Sequence, residues 1–276
     1  MANNLFLEER RRAIMQRLEH EGRVTVRDLS EEMHVSAVTI RQDLRALEEQ
    51  GLLQRTYGGA VARTGAGRLK ELSFNVRLQK NRAQKRAIAA FAAQFVERGY
   101  SVALDSSTTA YALLPYLKRL DKLTIVTNGL MLAQGFLDRS DFQVLVTGGR
   151  LRNDSISLVG MPESLPNINL NVGFFSARGL AEGAGITEID PDEVEIKQAM
   201  IARCVRAIYL LDGSKWGEIA PYTITPLERA QHIITTEDAP PDMVARLREC
   251  GIRVDVVEVG EQKNADRLTH PQTVGR

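Results

Sequence analysis

The sequence predicts two domains of different class: a small helical domain that ends in a β-hairpin, and a larger α/β domain built on a mainly parallel sheet. Two observations support this division. In the first sixty residues, apolar positions recur with helical spacing between glycine and serine breakpoints. After about residue 85, short apolar strands alternate with helical segments, as in parallel sheets covered by helices on both faces. A chain of 276 residues is long enough for both domains.

The composition is that of a globular protein, with 43% hydrophobic and 26% charged residues. No apolar run approaches the ~18 residues that a membrane span needs. The opening segment "MANNLFLEERRRAIMQRL" lacks the apolar core of a signal peptide. Cys204 and Cys250 fit neither a disulfide framework nor a metal motif. We therefore expect a cytoplasmic protein with reduced thiols and with neither a metal nor a cofactor.

The small domain is predicted element by element. Apolar residues at helical spacing predict the first helix: Leu5, Leu7, Ile14 and Leu18. A short strand around Val24 follows, and a second helix opens at Asp28. His34-Val35-Ser36 is a tight turn, in which Ser36 is a good N-cap for a third helix. The apolar residues of that helix share one face: Ile40, Leu44 and Leu47. Gly51 ends it, and "LLQRTYGGAV" predicts two short strands around a turn.

Two short helices, a tight turn and a hairpin make a winged helix-turn-helix. The polar residues of its third helix point away from the core: Thr39, Arg41, Gln42 and Arg45. In a DNA major groove, arginine pairs with guanine and glutamine with adenine. Ser36 and the helix N-terminus can hold a phosphate, and Arg55 and Tyr57 on the hairpin can reach the backbone or the minor groove. The alternative is a three-helix protein-binding module with a solvated charged face.

Charge is spread unevenly along the chain. Residues 1–63 carry ten Lys or Arg and ten Asp or Glu, so a DNA-binding field must come from the arrangement of charges on one face. Residues 64–86 carry seven positive residues against Glu71 alone, as a solvated linker or as a basic segment that assists DNA binding. The predicted boundaries follow: a DNA-binding domain over 1–61, a linker over 62–84, an α/β domain over 85–260, and a polar, disordered tail over 261–276.

Polar motifs follow the predicted strands of the α/β domain. "YSVAL" is closed by "DSSTT", "KLTIV" by "TNG", "FQVLV" by "TGG" and "AIYLL" by "DGSK", and "HIIT" and "IRVDVVEV" are further strands. Ligands of parallel sheets bind beyond the carboxyl ends of the strands. "DSSTT" offers hydroxyl and N–H groups to an anion, Lys215 adds a positive charge, and Asp105 and Asp212 can accept hydrogen bonds from sugar hydroxyls. Each motif alone is also explained by a plain N-cap, but together they favour a phosphorylated, polar small molecule.

The run "GRVTVRDLSEEMHVSAVTIRQDLRALEEQGLLQRTYGGAV" resembles the N-terminal domain of the DeoR family of bacterial transcriptional regulators. That family usually has two arginines before the Asp of "TIRRDL", whereas Gln42 takes the second position here. The resemblance implies DNA contacts by the following residues: Ser36, Thr39, Arg41, Gln42, Arg45, Arg55, Tyr57 and Gly58.

The resemblance continues to about residue 260 through "QKRAIA", "LDSSTT", "LTIVTN", "GITEIDPDEVEIKQAM" and "LLDGSKWG". It implies a sensor domain with a fold akin to ribose-5-phosphate isomerase that binds a sugar phosphate or a related metabolite. The implied effector contacts are Asp105, Ser106, Ser107, Thr108, Thr109, Thr127, Asn128, Gly148, Gly149, Lys197, Asp212 and Lys215. Ser107 stands where the family usually has Gly. Arg178 stands where a smaller residue is common, and it is either a second anion contact or a surface arginine.

Two functions compete for this sequence. The first is a transcriptional regulator, expected to be a repressor of a carbohydrate-metabolism operon. It would bind double-stranded operator DNA as a homodimer or homotetramer and respond to a phosphorylated sugar. The second is a sugar-phosphate isomerase-like enzyme fused to a DNA-binding head, which needs a carboxylate such as Asp212 as a base. No base motif is recognisable, and fold does not imply activity, so we favour the regulator and expect no catalytic residues.

Overall fold

The structure, a computed structural model, describes residues 7–21, 23–49, 52–56, 58–61 and 73–260. The chain divides into two compact units, Met1–Leu72 and Ser73–Arg276. Within the described ranges, no helix combines the length and the apolar character that crossing a membrane requires.

The N-terminal unit is the predicted winged helix-turn-helix. Its elements are α1 (Leu7–Glu21), β1 (Arg23–Thr25), α2 (Val26–Met33), α3 (Ala37–Glu49), β2 (Gln54–Thr56) and β3 (Gly59–Val61). The three strands form an antiparallel sheet in the order β1-β3-β2. Helix α2 begins two residues before the predicted Asp28, because the Thr25 hydroxyl is its N-cap and accepts the Asp28 N–H at 3.1 Å. His34 ends α2 in the left-handed region, with φ 54°.

The three helices and the sheet share one apolar core, and α3 adds a buried charge to it. The fully or nearly buried apolar residues include Ile14, Leu18, Leu29, Met33, Ile40, Leu44, Leu47 and Leu53. Asp43 is also buried, and it accepts hydrogen bonds from Arg10 Nε at 2.6 Å and from Arg11 Nε at 3.0 Å. Because both arginines lie on α1, this ion-pair cluster joins the first helix to the third.

The C-terminal unit is an α/β domain. Its helices are α4 (Phe74–Gln79), α5 (Arg82–Ala92), α6 (Thr108–Tyr111), α7 (Leu114–Leu117), α8 (Leu130–Gly135), α9 (Pro191–Ile201) and α10 (Pro241–Glu249). Its strands are β4 (Ser101–Leu104), β5 (Thr124–Thr127), β6 (Gln143–Val146), β7 (Arg150–Arg152), β8 (Ser157–Val159), β9 (Val172–Phe175), β10 (Gly179–Ala181), β11 (Gly185–Glu188), β12 (Ala207–Leu210), β13 (Tyr222–Thr225), β14 (His232–Thr236) and β15 (Arg253–Val257).

Seven of these strands form one sheet in the order β15-β14-β12-β9-β4-β5-β6, and all neighbouring pairs are parallel. The predicted mainly parallel sheet is therefore confirmed. Side chains alternate between its two faces. Val102, Leu104 and Phe174 pack on the face covered by α5 to α8, whereas Ala103 and Phe175 pack on the face covered by α9 and α10. This layering brings the carboxyl ends of β4, β9 and β12 side by side.

Several strands were missing from the prediction. Strand β9 lies at the centre of the parallel sheet, and β10, β11 and β13 form a separate antiparallel sheet. The predicted helix "AYALLPYLKRL" is two short helices, α6 and α7. Pro115 has no N–H to donate to the carbonyl of Tyr111, so a single continuous helix cannot form there.

The predicted linker over residues 62–84 extends too far. Residues 73–84 belong to the C-terminal unit, because Phe74 is buried and its ring meets the Tyr111 ring edge-on at 5.5 Å. The Phe74 N–H also donates to the Asp154 carbonyl at 2.7 Å. The rest of the predicted linker, residues 62–72, and the predicted disordered tail, residues 261–276, lie outside the described residues.

Candidate DNA-binding face and effector site

Helix α3 has one buried face and one exposed face. Ile40 and Leu44 face the core, whereas the side chains of Arg41, Gln42 and Arg45 are exposed. None of these three polar side chains forms a hydrogen bond or an ion pair with a residue that the structure describes. Their donors and acceptors are therefore available to another molecule.

The N-terminus of α3 carries two of the predicted contact residues. The Ser36 hydroxyl accepts the Thr39 N–H at 3.1 Å and lies 2.9 Å from the Thr39 hydroxyl. Ser36 is exposed and Thr39 is half-buried. Two hydroxyls beside the free N–H groups of a helix N-terminus suit a phosphate.

The hairpin holds the remaining predicted DNA contacts. Arg55 pairs with Glu48 of α3: its Nε lies 3.1 Å from Glu48 Oε2, and its N–H donates to Glu48 Oε1 at 2.9 Å. Exposed pairs of this kind contribute little stability, so a phosphate can compete for the guanidinium. Gly58 forms the turn with φ +98° and accepts the Val26 N–H at 2.8 Å. Tyr57 lies outside the described residues.

The sequence reasoning overlooked Val38 on the same helix. This side chain is 60% exposed on the first turn of α3. In DNA-binding proteins, an exposed apolar side chain on the recognition helix, the helix that enters the major groove, can contact the methyl group of thymine. The sequence did contain a signal for this exposure, because Val38 is apolar but lies outside the helical stripe of Ile40 and Leu44.

The predicted effector residues lie at the carboxyl ends of the parallel strands. Asp105 follows β4 and is fully buried. Its carboxylate accepts the Ser107 N–H at 3.1 Å and the Ser176 N–H at 2.8 Å. Since Ser176 follows β9, Asp105 joins two neighbouring strand ends.

Lys197 of α9 completes this cluster. Its ammonium donates to the Ser176 carbonyl at 2.8 Å and to Glu188 Oε2 at 2.9 Å, and it lies 3.2 Å from Asp105 Oδ2. Burial disfavours the charged form, but the carboxylates of Glu188 and Asp105 outweigh burial and raise the pKa of Lys197 above its ordinary value. An ammonium has three donors; two of them are used in these hydrogen bonds, and Asp105 adds an ion pair. Lys197 therefore joins α9 to the ends of β9 and β11, and its contact with an effector stays a prediction.

Glu193, also on α9, was not predicted from the sequence. It connects three segments of the chain near the strand ends. It accepts hydrogen bonds from the Ser106 hydroxyl, from Asn128 Nδ2 at 3.3 Å and from the Ser157 hydroxyl at 3.3 Å. Arg152 Nη1 donates to the same carboxylate at 3.3 Å. Glu193 and Lys197 stand four residues apart, on one face of α9, within the segment that carries the family resemblance. That spacing was the signal available in the sequence.

The other hydroxyls of "DSSTT" and "TNG" make mostly local contacts. The Ser107 hydroxyl caps α6 and accepts the Ala110 N–H at 3.0 Å. Thr108 is buried at the start of α6, and the Thr109 hydroxyl lies 3.5 Å from that of Ser176. The Thr127 hydroxyl accepts the Gly129 N–H at 3.0 Å. These residues shape the strand-end loops.

Gly148 and Gly149 shape the turn that leads into β7. The Gly148 N–H donates to the Ser164 hydroxyl at 2.7 Å. Gly149 has φ +131°, and a Cβ there would lie 2.3 Å from the Val159 carbonyl oxygen, so only glycine fits. No described contact joins either glycine to the Lys197 cluster.

Two polar atoms at the ends of β5 and β6 retain hydrogen-bonding capacity. Asn128 Oδ1 and Thr147 Oγ1 are buried, and neither has a hydrogen-bond partner within the described ranges. A buried polar atom without a partner costs about 1–3 kcal/mol. The two atoms mark where polar groups of a ligand would be stabilised.

Positive charge gathers beyond the end of β12. Asp212 Oδ1 accepts Asn81 Nδ2 at 3.1 Å and the Ser214 N–H at 3.1 Å. The nearby Lys215 ammonium forms no direct hydrogen bond or ion pair with a described residue. Burial lowers the pKa of Lys215; Asp212 raises it, and the positive charge of Arg178 lowers it further. A bound anion would relieve this mutual repulsion of Lys215 and Arg178.

The strand-end cluster thus offers hydroxyl donors, buried acceptors and two cations without direct ion pairs. It suits a small ligand with both hydroxyls and a negative charge. Among the described residues, no group of three or more His, Cys, Asp or Glu side chains is placed to hold a metal ion.

Two family models match the chain. A DeoR-like helix-turn-helix domain matches residues 10–65, and a DeoR C terminal sensor domain matches residues 80–237. The chain belongs to the DeoR family of DNA-binding transcriptional regulators.

Relatives match this DeoR-family regulator over nearly its whole length. The HTH-type transcriptional regulator GolR of Listeria innocua is 33% identical over 92% of this chain and 100% of that protein. The putative aga operon transcriptional repressor of Escherichia coli O157:H7 is 34% identical over 92% of this chain and 94% of that protein. The HTH-type transcriptional repressor GlcR of Bacillus subtilis is 30% identical over 94% of this chain and 100% of that protein.

Among solved structures, ribose 5-phosphate isomerase A from Methanocaldococcus jannaschii is 14% identical to this DeoR-family protein. The TM-score is 0.36, with 50% of this chain and 55% of that chain covered. A likeness at this level says nothing about the chemistry of the regulator's strand-end site.

One departure of this DeoR-family chain from the family pattern has a structural account. Ser107 stands where the family pattern has Gly. Its φ is −74°, a value that any residue adopts without strain. Its hydroxyl caps α6, so the substitution adds a hydrogen bond to the loop.

Proposed function

We propose that this DeoR-family regulator represses a carbohydrate-metabolism operon, and that a phosphorylated sugar bound at the strand ends controls its affinity for operator DNA. The names of two relatives, a putative aga operon transcriptional repressor and the repressor GlcR, support repression. The geometry of α3, the proposed recognition helix, supports operator binding, and the geometry of the strand-end site supports control by a phosphorylated sugar.

The exposed triad of α3 supports the proposed base contacts. Arg41, Gln42 and Arg45 lie opposite the buried stripe, and their side chains form no hydrogen bond or ion pair with described residues. In a major groove, an arginine fork matches the two acceptors of guanine, and a glutamine amide matches adenine. Ser36 and Thr39 would hold a phosphate at the helix N-terminus and so fix the register of the helix on the duplex.

The observation that carries the effector proposal is the environment of Lys215. Lys215 is half-buried, its ammonium is repelled by Arg178, and it has no direct ion-pair partner in the described part of the chain. A phosphate between the two cations would remove the repulsion and gain charge-assisted hydrogen bonds. The buried acceptor of Asn128 would take a sugar hydroxyl.

Regulation is favoured over isomerase activity by the state of the buried carboxylates. Asp105 accepts two backbone N–H groups and pairs with Lys197, and Asp212 accepts from Asn81 and Ser214. A general base needs a carboxylate free to take a proton from the substrate. Asp105 accepts hydrogen bonds through both of its oxygens and Asp212 through Oδ1, so the protein itself engages both carboxylates.

Control by the effector requires that it bind one conformation of the protein better than another. A tenfold release of DNA needs only about 1.4 kcal/mol of coupling. We propose a homodimer or homotetramer, in which the recognition helices of two subunits bind a repeated operator sequence.

The experiment follows DNA affinity by fluorescence anisotropy, with a labelled duplex selected by the protein from a random-sequence pool. A panel of sugar phosphates and their unphosphorylated parents is added to the complex. We expect one phosphorylated sugar to change DNA affinity, its parent to have no effect, and Lys215→Ala to abolish the response while leaving basal DNA binding intact.

Intrinsic fluorescence gives an independent measure of effector binding. Trp216 is the sole tryptophan, it is buried, and it follows Lys215 directly. A saturable change with the same sugar phosphate would support the proposal. A response that persists in Lys215→Ala would contradict the proposed phosphate contact. Turnover of ribose 5-phosphate that disappears in Asp212→Asn would favour the enzyme instead.

A further inference from the structure

A cavity of about 420 Å³ lies outside the strand-end cluster, between the helices that cover one face of the parallel sheet. Its walls come from α4, the start of α5, α6, α7 and the residues just after α7. Pockets that bind small molecules commonly have volumes of roughly 300–1,000 Å³. The cavity is therefore large enough for a compact organic ligand.

The charge of this cavity has one sign. Its lining includes Arg82, Arg86 and Arg119 and contains no Asp or Glu. None of these guanidinium groups forms an ion pair with a described carboxylate. Elsewhere in the same unit arginines are paired, as in Arg139 with Asp141 at 3.0 Å. With Lys85, four cationic side chains line one concavity without a counter-charge in the wall, and this favours an anion.

Apart from Gln79, Lys85 and Thr108, the remaining lining is apolar or aromatic. Leu78, Leu114 and Pro115 contribute aliphatic surface, and the rings of Tyr111 and Tyr116 contribute flat surface. Most hydroxyl groups of a sugar would face these apolar side chains, which is unfavourable because the lining offers few polar partners. A ligand with a ring or an aliphatic body would bury apolar area against them.

We propose that this cavity is a second ligand site, which takes an organic anion with an aromatic or aliphatic body, such as an aryl phosphate or an aryl carboxylate. The anionic group lies among the arginines, and the body packs between Tyr116 and Leu114. The ligand class differs from that of the strand-end site, so this inference does not depend on the proposed sugar-phosphate effector.

The position of the cavity links it to the strand-end loops. Thr108 lines the cavity and also belongs to "DSSTT" at the end of β4. Lys85 lines it as well, and its ammonium donates to the carbonyls of Arg77 and, at 2.7 Å, Lys80. A ligand here contacts the same short helix, α6, that begins at the strand-end site.

The test uses the full-length protein and isothermal titration calorimetry with phenyl phosphate. We expect saturable binding with one site per chain, at least about tenfold tighter than that of inorganic phosphate. The double variant Arg86→Gln/Arg119→Gln should weaken phenyl phosphate at least about tenfold. The matched control is Arg98→Gln, an exposed arginine outside the cavity, and it should leave binding unchanged.

A second variant guards against a folding defect in the first. Ala112→Trp fills the cavity without changing its charge, and it should also abolish phenyl phosphate binding. Thermal melting checks that each variant is folded.

Three outcomes would overturn the inference. They are the absence of saturable binding at millimolar phenyl phosphate, binding that is unchanged in both cavity variants, and binding that is lost in Lys215→Ala instead. If the first of these outcomes is accompanied by a change of oligomeric state in the cavity variants, the cleft is assigned to a subunit contact instead.

Discussion

Replacing Lys197 with methionine tests whether the strand-end cluster depends on this buried cation. Methionine replaces the lysine stem with an unbranched apolar side chain that lacks only the terminal ammonium, and so it removes the charge. The change would leave two buried carboxylates, Asp105 and Glu188, without their shared counter-ion at 3.2 and 2.9 Å. It would also leave the Ser176 carbonyl without its donor at 2.8 Å.

The expected cost follows from these contacts. Breaking a buried ion pair by removing one partner costs about 3–5 kcal/mol, because the remaining charge stays buried and unpaired. We expect about 4 kcal/mol for Lys197→Met, a large share of the roughly 5–15 kcal/mol by which a domain is stable. With a urea slope of about 2 kcal/mol per molar, the unfolding midpoint should fall by about 2 M.

Urea unfolding followed by Trp216 fluorescence measures this effect in the full-length chain. Trp216 lies in the C-terminal unit, is buried, and donates its indole N–H to the Thr235 hydroxyl at 2.9 Å. Because it is the sole tryptophan, the signal reports on that unit. Glu195→Met is the matched control on the exposed side of α9 and should change stability by less than about 0.5 kcal/mol.

Two results would refute the reasoning. One is a Lys197→Met variant within about 1 kcal/mol of the parent, since no buried pair would then have been broken. The other is a double variant, Lys197→Met/Glu188→Gln, whose loss equals the sum of the two single losses. Residues in contact are expected to couple by about 0.5–3 kcal/mol, so the double variant should lose less than the sum.

Three further predictions concern the winged helix-turn-helix and the parallel sheet. Arg41→Ala should weaken operator binding by about 1–3 kcal/mol in an anisotropy titration, whereas Arg12→Ala, at an exposed position on α1, should change it little; equal losses would contradict base reading. Asp43→Ala should destabilise the N-terminal unit by about 3 kcal/mol, because it leaves two arginines of α1 without their carboxylate; circular dichroism melting of the unit checks this. Burial lowers the pKa of His232 despite the hydrogen bond to Asp255, so the unfolded chain takes up the proton first. The resulting stability is present above the ordinary histidine pKa of about 6.5 and is lost as pH falls below it. His232→Gln should flatten the change in urea midpoint between about pH 7.5 and about pH 5.5, and an unchanged slope would count against this account.

The sequence by itself determined the elements whose cause is local. The period of Ile40, Leu44 and Leu47, the cap at Ser36 and the glycine turn at Gly58 all act within a few residues, so the winged helix-turn-helix could be predicted. The short apolar strands and the polar motifs behind them were also readable, because parallel strands place their carboxyl ends at one edge of a sheet.

Longer-range features were less accessible. Strand β9 has only four residues, all of them buried, and thus shows no alternation to reveal it. It is nevertheless the central partner of β4 and β12. Its position depends on pairing with strands that are distant in sequence, which local pattern does not encode.

Only the tertiary structure decided the roles of the charged residues. The helical period places Asp43 on the face of Ile40 and Leu47, but nothing local in the sequence identifies its partner Arg10, which is 33 residues away. The family resemblance implies Lys197 as an effector contact, and only folding shows that it lies against the carboxylates of Glu188 and Asp105. Residue type specifies which interactions a side chain can make, whereas the folded chain determines which partners come within hydrogen-bonding distance, because direct contacts of this kind act only over about 3 Å.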